Sequence, residues 1–170
     1  MDILNHESFK VTDDILASKE QRFLNFIIDR IVFYLIFFTI GILLVLFFSI
    51  IGFEKGVLWM ENLENIGQGW DYLISYTSMY IYFFVMESLL SKTIGKAITR
   101  TLVVYENGDK PELKDIAIRT LVRFVPFDAF SFLGTLGNGW HDKWSNTFVV
   151  KEDLFNDSKR LHKRFNELGE

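Results

Sequence analysis

Residues 31–53 read IVFYLIFFTIGILLVLFFSIIGF, 23 positions without a charge, and no other feature limits so severely what this chain can fold into. As an α-helix the run extends about 34 Å, enough for a hydrocarbon core of roughly 30 Å. A helix of this length in a soluble protein keeps a polar face, and this run has none. Polar residues precede it and it is far longer than the apolar core of a signal peptide, so it reads as a retained span.

A second run, residues 72–90, reads YLISYTSMYIYFFVMESLL and extends about 28 Å as a helix. Trp70 and Tyr72 stand at one end, where interfacial aromatics belong, and Glu87 stands near the other. The chain is 49% hydrophobic with 18 phenylalanines, and because the excess sits mainly in these two runs it points to a bilayer. The connection at 54–69 carries Lys55 alone, whereas Lys10, Lys19, Arg22 and Arg30 precede the first run and Lys92, Lys96 and Arg100 follow the second. The positive-inside rule then predicts a hairpin with both termini in the cytoplasm and residues 54–69 outside, in the inner membrane of a bacterium.

Beyond the second run, residues 98–105 (ITRTLVVY) lead into Asn107-Gly108, and residues 147–150 read TFVV. Two short strands, paired as a ribbon, are predicted. Such a ribbon needs cover, and residues 112–125 supply an amphipathic helix opened by Pro111, with Ile116, Leu121, Val122 and Val125 apolar and Lys114, Arg119 and Arg123 basic. That helix either packs on the ribbon or lies on anionic headgroups with its arginines reaching phosphate. Residues 126–137 (PFDAFSFLGTLG) are too short to span and are expected at the interface, and Leu154, Leu161, Phe165 and Leu168 give the tail a helical apolar stripe. The predicted fold is therefore membrane α: a two-helix transmembrane hairpin with a small cytoplasmic layer of amphipathic helices and a two-stranded ribbon. It divides into a polar segment (1–21), a membrane domain (22–150) and a charged tail (151–170).

Three motifs accompany these spans in order: Arg22-Phe-Leu-Asn-Phe-Ile-Ile-Asp29 entering the first, Thr93-Ile-Gly-Lys96 after the second, and His141-Asp-Lys-Trp-Ser-Asn-Thr147 near the end. Together they resemble the RDD family of multi-pass membrane proteins over residues 17–150. The family is named for one arginine and two aspartates, which the resemblance assigns by position to Arg22, Asp29 and Asp142. Many members carry a longer apolar third segment, which Arg119, Arg123 and Asp128 interrupt here. The resemblance implies no established reaction, substrate or cofactor, although cation or proton transport has been proposed for some members.

On a helix Arg22, Asn25 and Asp29 share one face, with Arg30 turned about 100° from Asp29. Arg22 and Asp29 lie about 10 Å apart along the axis, too far for an easy pair, so Asp29 is expected to find another partner. In an antiparallel hairpin Asp29 and Glu87 meet at the cytoplasmic end with Arg22, Arg30, Lys92 and Lys96. The candidate polar cluster is therefore Arg22, Asp29, Glu87, Lys96 and Asp142, with Asn25, Arg30, Thr93, Arg119, Arg123 and His141 as secondary candidates. It is read either as a path for cations or protons or as a structural network of ion pairs. Asp142 with Ser145 and Thr147 resembles a capping turn, Gly95 lets the chain turn as it leaves the membrane, and Lys96 holds the inner interface.

Histidines at 6, 141 and 162 make no metal spacing, and the chain has no cysteine. Neither a metal nor a cofactor is expected, and a net charge of −4 argues against nucleic acid. No nucleophile and base are set together, so enzymatic activity is not expected. Two functions remain: translocation of a cation, proton or small solute, and a membrane adaptor docking a partner through its cytoplasmic face. Two spans cannot enclose a water path alone, so translocation implies a homo-oligomer or another membrane protein as partner.

Overall fold

The structure, a computed structural model, describes residues 9–63, 67–131 and 139–168. Helix α1 (Lys19–Ile50) starts on Ser18, whose hydroxyl accepts from the Gln21 amide while the Gln21 side chain accepts from the Ser18 amide. It ends at Ile51 and Gly52, the latter at φ +68°, so the last three residues of the predicted span form a turn. A short helix α2 (Glu54–Leu63) follows, inside what the sequence suggests is only a connection, and α3 (Gln68–Leu90) returns. Both α1 and α3 are long and apolar enough to cross a membrane.

The two long helices are inside out. Helix α1 buries Arg22, Asn25, Asp29 and Phe33 while exposing Phe23, Leu24, Ile27 and Ile31. The apolar side chains that the spans bury, Phe33, Met79 and Phe83, form one small cluster with Phe37, Tyr82 and Phe124 around it. Toward Ile50 almost every large side chain of α1 is exposed. An apolar exterior over a polar interior inverts the soluble pattern and suits a hydrocarbon solvent.

After Ser91, at φ 56°, come helix α4 (Ile94–Ile98) and strand β1 (Thr101–Tyr105). The predicted strand from Ile98 is corrected here, because Thr93 caps α4 through the Lys96 amide and carries Ile98 into the helix. Helices α5 (Leu113–Val122), α6 (Asp128–Ser131) and α7 (Trp140–Trp144) precede strand β2 (Thr147–Lys151), and α8 (Glu152–Leu168) ends the chain. Of the stretch expected at the interface, residues 132–137 lie outside the described residues, as do residues 1–8 and the Leu168 side chain.

Strands β1 and β2 pair antiparallel, with Thr101 opposite Lys151 and Tyr105 opposite Thr147. Both outer edges are covered: the Ala17 amide donates to the Val149 carbonyl (2.9 Å) and the Val103 amide to the Ser91 carbonyl (2.9 Å). Ile15, Val104, Val150 and Phe155 form the core on one side, with Phe9 packed edge-on to Phe155. That core anchors α8 and ties the ribbon to the segment that enters α1.

Candidate functional site

Where α1, α3, α4, α5 and α7 converge, Arg22, Lys96 and Arg119 are buried and Arg123 is half-buried, beside the buried carboxylates Asp29, Glu87, Asp128 and Asp142. Charges removed from water this completely are tolerated only when paired and hydrogen-bonded. Arg119, fully buried at 0% exposure, is the hub. Its Nε donates to Glu87 Oε2 (3.1 Å), and its Nη1 donates to Asp142 and to Thr147 Oγ1 (2.7 Å). Its Nη2 has no hydrogen-bond partner among the described residues.

Glu87 receives three cations: Arg119, Arg123 Nη2 (2.5 Å) and Lys96 Nζ. Arg123 also lies over the Phe83 ring, 4.4 Å from its centroid. Asp142 accepts from Arg119, from Arg22 Nη1 (2.5 Å) and from the Gly139 amide (3.1 Å). Arg22 reaches back to the Ala17 carbonyl (3.3 Å) as well, which links α1, α7 and the edge of the ribbon. Asp128 is held by the His141 ring at 2.7 Å and by its amide at 3.1 Å.

Asp29, 2% exposed, stands apart from this network. Thr93 Oγ1 donates to its Oδ2 (2.5 Å), the Gly95 amide to its Oδ1 (2.7 Å), and Tyr82 Oη lies 3.5 Å away. One turn earlier Asn25 donates to Thr101 Oγ1 (3.0 Å) and accepts from Thr99 Oγ1 (2.5 Å). The polar face of α1 thus grips α4 and the start of β1. A Cβ at Gly95 would lie 2.7 Å from the Asn25 carbonyl oxygen, so this glycine serves close helix approach and not a turn.

Within the convergence zone Asp29 and Glu87 take different partners, so Asp29 leaves the cluster of cations on Glu87. Arg30 leaves it as well, its guanidinium against Met79 Sδ (2.9 Å) and the Phe26 ring, and Lys92 pairs with Glu152 of α8 (2.9 Å). Lys96 is buried on Glu87 and does not stand at an interface. Arg119 and Arg123, secondary candidates for the cluster and in one reading directed to headgroup phosphate, point inward to Glu87. The sequence held a sign of this: Arg119 and Arg123 follow Ile116 by three and seven residues, so all three share one face.

Burial pushes the Lys96 amine down to about 7, against the pull of Glu87. Burial would raise the Asp142 carboxyl, but Arg119, His141 and Arg22 together hold it well below the usual range. Burial also lowers His141, with Arg119 and Arg123 adding to the effect and Asp142 and Asp128 opposing it. All three bind fewer protons in the folded state than in the unfolded chain; Lys96 loses its contribution as pH falls from 10.5 to about 7, and His141 and Asp142 act lower. The stability these two contribute is complete above the ordinary values of 6.5 and 3.8 and is lost as pH falls below each. Thermal melting in detergent is therefore expected to fall gently below pH 6.5 and steeply below pH 3.8. His141→Gln should remove the gentle limb and leave the steep one; a melting temperature flat down to pH 3 would contradict the assignment.

Two inside-out helices clamped by a buried charge network define a membrane protein. The sequence profile of the RDD family matches residues 16–146, and the chain belongs to that family of membrane proteins. Neither the curated proteins nor the solved structures hold a match to it. Arg22 and Asp142, which the resemblance assigns to the family's arginine and second aspartate, are direct partners here. The described residues hold no cluster of three or more acidic or histidine side chains arranged to bind a metal ion.

Proposed function

We propose that this RDD-family membrane protein is a non-enzymatic scaffold of a bacterial inner membrane, with both termini in the cytoplasm, that docks a partner on its polar layer. One observation carries the reading: Glu87 and Asp142 are each neutralised by the chain's own buried cations, and Asp29 and Asp128 are spent on hydrogen bonds that tie α1 to α4 and α6 to α7. Groups arranged in this way hold elements together. The lysine and arginine bias about the spans supports the orientation. Helix α8 offers the docking face, with Leu154, Leu161 and Phe165 exposed along one side.

A second reading, translocation of cations or protons by an oligomer, is favoured by the uncovered outer halves of α1 and α3, which further copies could enclose. Flux measured in proteoliposomes of the pure protein separates the two. The scaffold reading expects no flux above empty vesicles, and recovery of a defined partner from native membrane that is lost in Leu161→Glu/Phe165→Glu. Robust flux that vanishes in Asp29→Asn or Glu87→Gln would establish the second reading.

A further inference from the structure

Strands β1 and β2 are paired neighbours, so the chain between them leaves the ribbon and must come back to the same side. Within that excursion α5 runs along α3. Arg123 meets Phe83, and the Phe124 ring packs edge-on against Tyr76 (centroids 5.5 Å apart) and stacks on Tyr80 (6.4 Å). Phe83, Tyr80 and Tyr76 stand four, seven and eleven residues before Glu87, hence about 6, 10 and 16 Å farther along the helix axis. In α3 (Gln68–Leu90) Tyr76 and Tyr80 bracket the middle, which places Phe124 level with the centre of a predicted span.

Helix α5 turns its arginines inward and leaves large apolar side chains outside. It buries Arg119 and Thr120 beside Ile116 and Val122, and exposes Leu113 and Leu121, the latter by 57%, beside Lys114. The turn that follows exposes Phe127 by 75% and Phe130 by 55%. In water such an arrangement loses on both counts, with arginines desolvated and large apolar side chains hydrated. Most of its polar side-chain groups find partners within the chain, Arg123 Nη2 on Glu87 and Asp128 on His141 and Ser131, although Arg123 Nε and Arg119 Nη2 have none among the described residues. The amides of Phe124, Val125, Asp128 and Phe130 all donate to carbonyls of the same turn, and Pro126 has none to satisfy. Irregular backbone at membrane depth is tolerated only when it is satisfied in this way.

We infer that residues 113–131 dip into the bilayer as a re-entrant insertion, with their tip at Arg123–Phe127 near its middle beside α3, and that Leu121, Phe127 and Phe130 are covered by lipid acyl chains. The inference rests on the reading of α1 and α3 as spans. Trp140 and Trp144, both exposed on α7, then mark its return at headgroup level. The interfacial placement expected for residues 126–131 is replaced by a deeper one.

The chain has no cysteine, so single nitroxide labels can be placed in liposome-reconstituted protein without removing any residue of its own. Labels at Ile42, Phe127, Phe130 and Phe165 are exposed positions in this structure. Their collision with oxygen, which concentrates in lipid, is compared with that of a water-soluble nickel chelate. Oxygen is expected to dominate at Ile42, Phe127 and Phe130, and the order to reverse at Phe165. Oxygen dominance at Ile42 with chelate dominance at both Phe127 and Phe130 would overturn the insertion and leave the spans standing. Chelate dominance at Ile42 would overturn the spans and the insertion together. Phe127 has φ 70°, so Phe130, within α6, guards against a local disturbance at the first site.

Discussion

Arg119→Met is expected to lower stability by roughly 3–5 kcal/mol, the range for removing one partner of a buried ion network. The side chain is fully buried and joins Glu87 of α3, Asp142 of α7 and Thr147 of β2. Methionine fills much of the same volume, so the loss is electrostatic: Glu87 keeps Lys96 and Arg123, but Asp142 keeps Arg22 and the His141 ring at 3.5 Å. Thermal melting in detergent should fall by roughly 10 °C, given a few degrees per kcal/mol for a chain of this size. Arg119→Lys should fall between the two, since one ammonium cannot satisfy carboxylates on both sides of the fork. A methionine variant that melts with the parent would mean that the network holds nothing together.

This hub shows where sequence reasoning reached and where it stopped. The spans were legible because hydropathy accumulates over many residues, and the face of Arg22, Asn25 and Asp29 because helical period alone groups them. Partnership is different, since Arg22 meets Asp142 across 120 positions of chain. Period says that a side chain shares a face but not what that face meets. For Arg119 the period therefore left packing on the ribbon and contact with headgroups both open, whereas the side chain is buried against Glu87 and Asp142. Asp29 and Glu87 sit at corresponding ends of their helices, yet α4 comes between: Thr93 and Gly95 take the aspartate, while Lys96 turns to the glutamate. Residues 98–105 were read as one strand because β-branched residues fill the run, and the cap on Thr93 outweighed that preference for Ile98.

The same Gly→Ala change is expected to act with opposite sign at two positions. At Gly41, in the middle of α1, an added methyl meets nothing within 4 Å, and alanine should be neutral or stabilise by roughly 0.5–1 kcal/mol through helix propensity. At Gly95 the methyl would stand 2.7 Å from the Asn25 carbonyl oxygen and 2.9 Å from the Asp29 carboxylate. Helix α4 must then move away from α1, stretching the Gly95 amide bond to Asp29 (2.7 Å) and the Thr93 hydroxyl bond (2.5 Å) together. Overpacking costs typically 1–3 kcal/mol, and a buried carboxylate losing donors adds to it. Trimming Asp29 in Asp29→Ala/Gly95→Ala should not restore the parent, because the nearer obstacle is backbone on α1 and does not move with the side chain. Melting curves of Gly41→Ala, Gly95→Ala and the double variant test all three statements. Full recovery in the double variant would show that the aspartate, and not the approach of the two helices, is what requires glycine at position 95.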